Sequence, residues 1–346
     1  MRIRLLFICL PALALLAACA KTDAPVRLDF VGGTGLTSGS RTVAAGDTLV
    51  THAYAVGNDQ PLKRLHIEVT YEPGPAPILY PVPTNSFKPE NAPKAFTLIY
   101  LDSILPVSRT GADSIKQTLF ANGLMARTTS GKETWTYTVT DVSGQTAARG
   151  YHFTVHKFDS AAVFHSYPLV LRPLPLASAR PYNMRDSRRV FLNLRYGLLL
   201  PRYALLNNSA SVQTNQALID LVCVANQAGT TVSLVAPADA ASHLPQSWIT
   251  DPRRTTQVHL TNLSAAQFTD AATTAAFTTA FDGGAAYHPA GSPANDKTTG
   301  PLATGQVVAF KAFDDNLTPY YGLLQATALT TGTNPVLTGQ VKVQKY

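Results

Sequence analysis

Between Val26 and His156, apolar and polar residues alternate at every second position, the period of a strand with one buried face. Leu65, Ile67, Val69 and Tyr71 fall on one side, with His66, Glu68 and Thr70 on the other. Trp135, Tyr137 and Val139 repeat the pattern, as do Tyr151, Phe153 and Val155. Further strands are predicted at 27–31, 48–56, 96–101 and 116–121. Asp141-Val142-Ser143-Gly144-Gln145 has the composition of a hairpin turn. Residues 72–93 are too rich in proline for a central strand and read as a long exposed loop. About seven short strands over residues 26–157, each apolar on one face, predict a two-sheet β-sandwich.

The pattern then changes. Residues 157–190 are extended and rich in proline and arginine, with 166–172 read as the first strand of a second β-rich domain over 158–346. Strands are predicted at 189–195, 202–206, 217–225, 230–235, 305–313, 319–328 and 338–345. A short helical insertion interrupts them: Ser264 with Gln267 fits a capping box, and Phe268, Ala272, Ala276 and Phe277 lie near helical spacing. Residues 283–304, rich in Gly, Pro, Asn and Thr, read as an exposed, mobile loop.

The start of the chain has a different pattern. Arg2 and Arg4 precede an apolar run, Leu5 to Leu16, which is too short for a permanent membrane span and is laid out like a secretory signal. Leu16-Ala17-Ala18-Cys19 at its end resembles the lipobox of bacterial lipoproteins. That resemblance implies a signal peptide at 1–18, lipidation of Cys19 and a tether at 19–25. The membrane is then a partner through the N-terminal lipid, and the location is the cell envelope, at the outer membrane, on either face. Each buried CH₂ contributes about 0.8 kcal/mol, so two or more acyl chains anchor a protein stably.

Two further resemblances follow. Thr134-Trp135-Thr136-Tyr137-Thr138-Val139-Thr140-Asp141 and the strand from Tyr151 to His156 resemble the Ig-like modules of exported bacterial lipoproteins, without the cysteine pair of antibody domains. The second half resembles the C-terminal module of uncharacterised surface lipoproteins from Bacteroidota. That likeness is carried by Val232-Ser233-Leu234-Val235-Ala236-Pro237-Ala238-Asp239, Leu263-Ser264-Ala265-Ala266-Gln267-Phe268, Gly305-Gln306-Val307-Val308-Ala309-Phe310-Lys311 and Tyr321-Gly322-Leu323-Leu324. It implies a fold and supplies no catalytic residues.

Composition narrows the partners. The 346 residues carry a net charge of +7, two units of it from Arg2 and Arg4, too modest an excess to argue for nucleic acid. Cys9 leaves with the signal and Cys19 takes the lipid, so Cys223 remains as one thiol and no disulfide framework is possible. Its near-continuous apolar surroundings, Ala217 to Val224, mark a buried structural thiol.

Chemistry-bearing motifs are sparse. His152 and His156, four apart on a strand, stand about 13 Å from each other, too far to share an ion. His66-Ile67-Glu68 matches the H-x-E of zinc deaminases without its P-C-x-x-C partner, and His52 shares a face with Val50, Tyr54 and Val56 as a half-buried core residue. No metal site or cofactor is supported. All four glutamates, Glu68, Glu72, Glu90 and Glu133, lie in the first half, and Asp314 and Asp315 would point to opposite sides of a hairpin, so no glycosidase pair stands out. There is no G-x-S-x-G elbow, and Gly32-Gly33-Thr34-Gly35 and Ser130-Gly131-Lys132 read as turns.

Two features suit a binding surface. Arg172, Arg180, Arg185, Arg188, Arg189, Arg195 and Arg202 face a single acidic residue, Asp186, and guanidinium groups suit phosphate or carboxylate. Trp248, Tyr287 and the Tyr320–Tyr321 pair are candidates for a sugar-stacking surface. Both features also have a structural reading, as solvated strands and as core plugs. Asp47-Thr48-Leu49, Asp102-Ser103-Ile104, Asp113-Ser114-Ile115 and Asp159-Ser160-Ala161 resemble O-glycosylation triplets of exported Bacteroidota proteins. The expectation is a non-catalytic surface, adhesion or structural lipoprotein that is not an enzyme. A glycan-binding accessory lipoprotein of a polysaccharide-uptake system is the alternative, and an envelope hydrolase comes third. A glycan or another envelope protein is the expected partner.

Overall fold

The computed structural model of the protein describes residues 24–73, 95–105, 115–155, 163–175, 188–206, 210–240, 244, 248, 253–315 and 317–345. The leader with Cys19, most of the proline-rich stretch 72–93, and Arg180 and Arg185 lie outside the described residues. The described chain is mainly β, with seventeen strands in four sheets.

Residues 26–155 form two sheets packed face to face. One has the order β1 (Val26–Phe30), β3 (Thr48–Gly57), β6 (Gln117–Met125). The other has the order β2 (Arg41–Val43), β8 (Thr146–Val155), β7 (Gly131–Asp141), β4 (Leu62–Pro73), β5 (Phe96–Ile104). All pairs are antiparallel except β2 with β8. The alternation in β7 sends Trp135, Tyr137 and Val139 fully into the core, opposite Val69, Ile67 and Leu65 of β4. Asp141 Oδ1 accepts from the Ser143 and Gln145 amides at 2.9 Å and closes the β7–β8 turn.

On β3 the expected inner face is reversed. Leu49, Thr51, Ala53 and Ala55 are buried, and Val50, His52, Tyr54 and Val56 face outward, half-exposed. The cause is the opposite sheet, whose Trp135, Tyr137, Tyr151 and Phe153 fill the space between the layers and leave room only for small partners. Thr51 Oγ1 and Tyr151 Oη meet at 2.7 Å, and Asn122 Nδ2 donates to Tyr137 Oη at 2.7 Å.

The second half builds a four-stranded sheet, β11 (Leu198–Pro201), β10 (Arg189–Asn193), β12 (Leu221–Ala225), β13 (Val232–Val235). Beside it lies a five-stranded sheet, β14 (Gln257–Leu260), β15 (Val307–Phe313), β16 (Pro319–Thr330), β17 (Val336–Gln344), β9 (Phe164–Leu171). Pro168, which lacks an N–H, is tolerated because β9 is an edge strand. The predicted strand at 202–206 is instead a 3-10 turn, Arg202–Ala204, and Thr214–Leu218 is another, so β12 starts only at Leu221. Pro201 ends β11, and the chain turns so that Tyr203 enters the first half, with its ring edge-on to Tyr100 at 5.4 Å.

Helix α1 (Ala210–Gln213) abuts β5, while α2 (Ala265–Asp270) and α3 (Thr274–Asp282) lie on the five-stranded sheet. The Ser264–Gln267 capping box forms as expected: Ser264 Oγ accepts from the Gln267 amide and Gln267 Oε1 from the Ser264 amide. Phe268, Phe277 and Phe281 bury onto Val307, Ala309 and Leu323. A larger core runs without a break from Val26 to Val343.

Residues 283–304 are not a free excursion. Ala285 exchanges backbone bonds with Leu260, and Lys297, Thr299 and Leu302 bond to Ala236, Leu234 and Val232. This stretch occupies the outer edges of β14 and β13, whose backbone groups would otherwise be unpaired.

Candidate functional site

The four aromatic residues singled out in the sequence are placed in different environments. Trp248 is 4% exposed, with its ring 5.7 Å from Phe191, and Tyr320 is 3% exposed, so both are core residues out of reach of a surface ligand. Tyr287 is half-buried on the strap over β14, against Gly300, whose φ of +59° and missing Cβ make room for the ring. Tyr321 is half-exposed on the helix-bearing side of the sheet, because adjacent strand residues point to opposite faces.

Of the described arginines, Arg172, Arg188 and Arg189 lie at neighbouring ends of β9 and β10, and Arg195 is paired elsewhere. Arg189 opens β10, where its charge lowers the phenol pKa values of Tyr100 and Tyr203 against the larger upward push of burial. Arg195 donates to Asp314 at 3.1 Å and lies over the Tyr320 ring. Arg188 directly precedes β10 and Arg172 directly follows β9, its amide donating to the Arg189 carbonyl.

Two polar clusters joined by the fold are structural clamps. Asp220, fully buried, accepts from the Leu194 amide at 2.7 Å and from Arg254 Nη1 at 2.8 Å. Arg254 also donates to the carbonyls of Ala217 and Phe313 and to Asp315, tying the β15–β16 hairpin to the four-stranded sheet. Burial raises the Asp220 pKa and the Arg254 charge partly restores it. In the first half, Glu133 accepts from the Arg127 amide and from Trp135 Nε1, while Arg127 donates to Thr129 and to the Glu72 carbonyl. Gly131, at φ +149°, allows that approach, since a Cβ there would lie 2.2 Å from the Glu72 oxygen.

A third cluster resembles hydrolytic machinery only in its residue types. Arg64 grips Asp102 with two bonds of 2.6 and 2.8 Å, Ser211 Oγ donates to Asp102 at 3.1 Å, and His66 Nδ1 lies 3.7 Å from the same carboxylate. A nucleophilic serine needs the histidine between itself and the acid. Here Ser211 and His66 reach Asp102 separately, and His66 Nε2 faces Glu68 at 3.8 Å. Among the described residues, no three His, Cys, Asp or Glu side chains form a metal-ligating group. His152 bonds Ser40, His156 lies outside the described residues, and burial raises the Cys223 thiol pKa. Of the glycosylation-like triplets, Thr48 is exposed and Ser103 half-buried; Ser114 and Ser160 are outside the described residues.

The best candidate for a binding site is a strip on the five-stranded sheet beside α3. Strand β15 directs Val308, Phe310 and Ala312 into the main core, and Val307, Ala309, Lys311 and Phe313 to the helix-bearing side. Lys311 pairs in register with Tyr321, and its ammonium lies 5.8 Å from the Tyr321 ring and 5.5 Å from the Phe313 ring. Tyr321 meets Phe281 edge-on at 5.7 Å, and Phe281 stacks on His259 at 4.1 Å. A second lysine on the same side, Lys342, is taken up by structure. It donates to the Thr269 and Ala271 carbonyls at the end of α2, and burial lowers its pKa. Lys311 remains half-exposed, and its ammonium makes no hydrogen bond or ion pair among the described residues. Only Tyr321 of this strip is among the residues singled out in the sequence. A lysine alternating with phenylalanine in an otherwise apolar strand was the available signal for the rest.

No family model matches the chain, and no curated protein is similar to it in sequence. Among solved structures, it is similar to a DUF4466 family protein from Parabacteroides merdae ATCC 43184. The identity is 10% and the TM-score 0.35, over 94% of this chain and 100% of that one.

Proposed function

We propose that the protein is a lipid-anchored component of the bacterial cell envelope with a non-catalytic adhesion or structural role. The observation that carries this reading is the end of the leader, where Leu16-Ala17-Ala18-Cys19 follows a cationic start and an apolar run. With Cys19 acylated, residues 19–25 are the whole tether, because β1 begins at Val26. The strand orders β1-β3-β6 and β2-β8-β7-β4-β5 support an Ig-like sandwich next to the membrane, carrying the rest of the chain as a spacer would. Growth of the native host with radiolabelled fatty acid tests the anchor. Label should enter the protein, and Cys19→Ser should lose both label and membrane partitioning; a Cys19→Ser protein that still partitions with membranes refutes the reading.

A second reading, glycan binding, is favoured by the strip of Lys311, Phe313 and Tyr321, where half-exposed aromatic rings flank a polar group on a sheet face. Screening the full chain against neutral and acidic oligosaccharides tests it, and the absence of any binding removes it.

A further inference from the structure

We propose that the strip of Lys311, Phe313 and Tyr321 binds a carboxylate-bearing sugar, a uronic acid unit of an acidic saccharide. The inference rests on the glycan reading and deepens it by naming the substrate class.

The argument starts from the ammonium. Lys311 stands between two aromatic rings, at 5.5 and 5.8 Å, which hold a cation without neutralising it. The acidic side chains nearest in register and sequence are engaged elsewhere. Asp296 takes the amide of Gln257, the residue paired with Lys311 on β14. Asp314 is paired to Arg195 and Asp315 to Arg254. Among the described residues Lys311 forms no ion pair, and its ammonium lies beside the rings of Phe313 and Tyr321. A pyranose ring stacks its C–H face on such rings, and a carboxylate on that ring reaches the ammonium in a charge-assisted bond. A neutral hexose uses the rings and leaves the charge unused.

The test is calorimetric titration of the full chain with an oligogalacturonate and with a neutral gluco-oligosaccharide of equal length. The acidic ligand should bind about tenfold tighter or more at low salt. Lys311→Met should erase that preference, Lys311→Arg should keep it, and Tyr321→Ala should weaken both ligands, with unchanged melting temperatures showing that each variant is folded. Equal binding of the two saccharides, or a preference that survives Lys311→Met, overturns the proposal while leaving the glycan reading in place. Binding of neither saccharide overturns both.

Discussion

Thr128 Oγ1 donates to the carbonyl of Gly197 at 2.7 Å, joining the loop before β7 to the β10–β11 turn. Gly197 has φ +63°, and a Cβ there would lie 1.9 Å from the Thr128 hydroxyl, so the contact exists because one partner has no side chain. Asn215 reinforces this junction by donating to the Ile99 carbonyl at 2.7 Å, as does the Tyr203 hydroxyl by donating to Asn122 at 3.1 Å.

Gly197→Ala should therefore destabilise the protein by about 2–4 kcal/mol, combining left-handed backbone strain with overpacking. Urea denaturation measures the loss. A Thr128→Ala/Gly197→Ala double variant should recover the steric part, and additive losses would refute the contact as the cause.

Alkali should unfold the protein cooperatively. Burial raises the phenol pKa of Tyr71, Tyr100, Tyr137, Tyr151, Tyr167, Tyr203 and Tyr320, that of Tyr100 to about 12. A raised folded value gives stability that is complete below the ordinary value of 10.0 and lost as pH rises toward the folded value. Tyrosinate absorbance should stay low for these residues above pH 10 and then rise together with loss of the β circular-dichroism signal. Independent titration in the folded state would contradict the burial.

Glu133 has its pKa raised by burial, more than Trp135, the Arg127 amide and the Arg127 charge lower it. Its contribution is thus largest below the ordinary value of 4.5 and declines as pH rises from there. The stability of the wild type relative to Glu133→Gln should fall over that rise in urea melts. Glu133→Ala should cost about 2–4 kcal/mol at neutral pH, since it strands the Arg127 amide and the Trp135 indole N–H. A flat difference between wild type and Glu133→Gln across the acid range would sink the assignment.

Leu317, at the β15–β16 hairpin, has φ +59° and is 79% exposed. A leucine there bears left-handed strain without burying its side chain, so Leu317→Gly should stabilise the protein by about 0.5–1 kcal/mol. A rise in melting temperature would show it, and a fall would mean that the side chain is held by something else.

Much of the first half was legible because β4, β7 and β8 alternate large apolar residues with threonine, histidine or glutamate, and the turn at Asp141 supplies its own bonds. On β3 the same alternation misled: Val50, Tyr54 and Val56 outweigh Leu49, Thr51, Ala53 and Ala55, and which side turned inward was decided by the rings of the facing sheet. Strands β2, β11 and β14 have three or four residues, too few for a period to register. Glu133 and Asp220 sit at ordinary-looking positions, and their partners come from other elements, so only the folded chain reveals them as clamps. Within the candidate strip, Tyr321 stood out beside Tyr320, whereas Lys311 and Phe313 were hidden in an apolar run.

Strand β9 pairs with β17, which is separated from it by roughly half the chain, and β17 lies inside its sheet, between β9 and β16. Loop closure over so long a separation is entropically slow, and β9 has no partner until that distant segment is available. The five-stranded sheet therefore cannot close while synthesis is partway through. The ribosome must therefore release the C-terminal strand before this sheet gains its last edge.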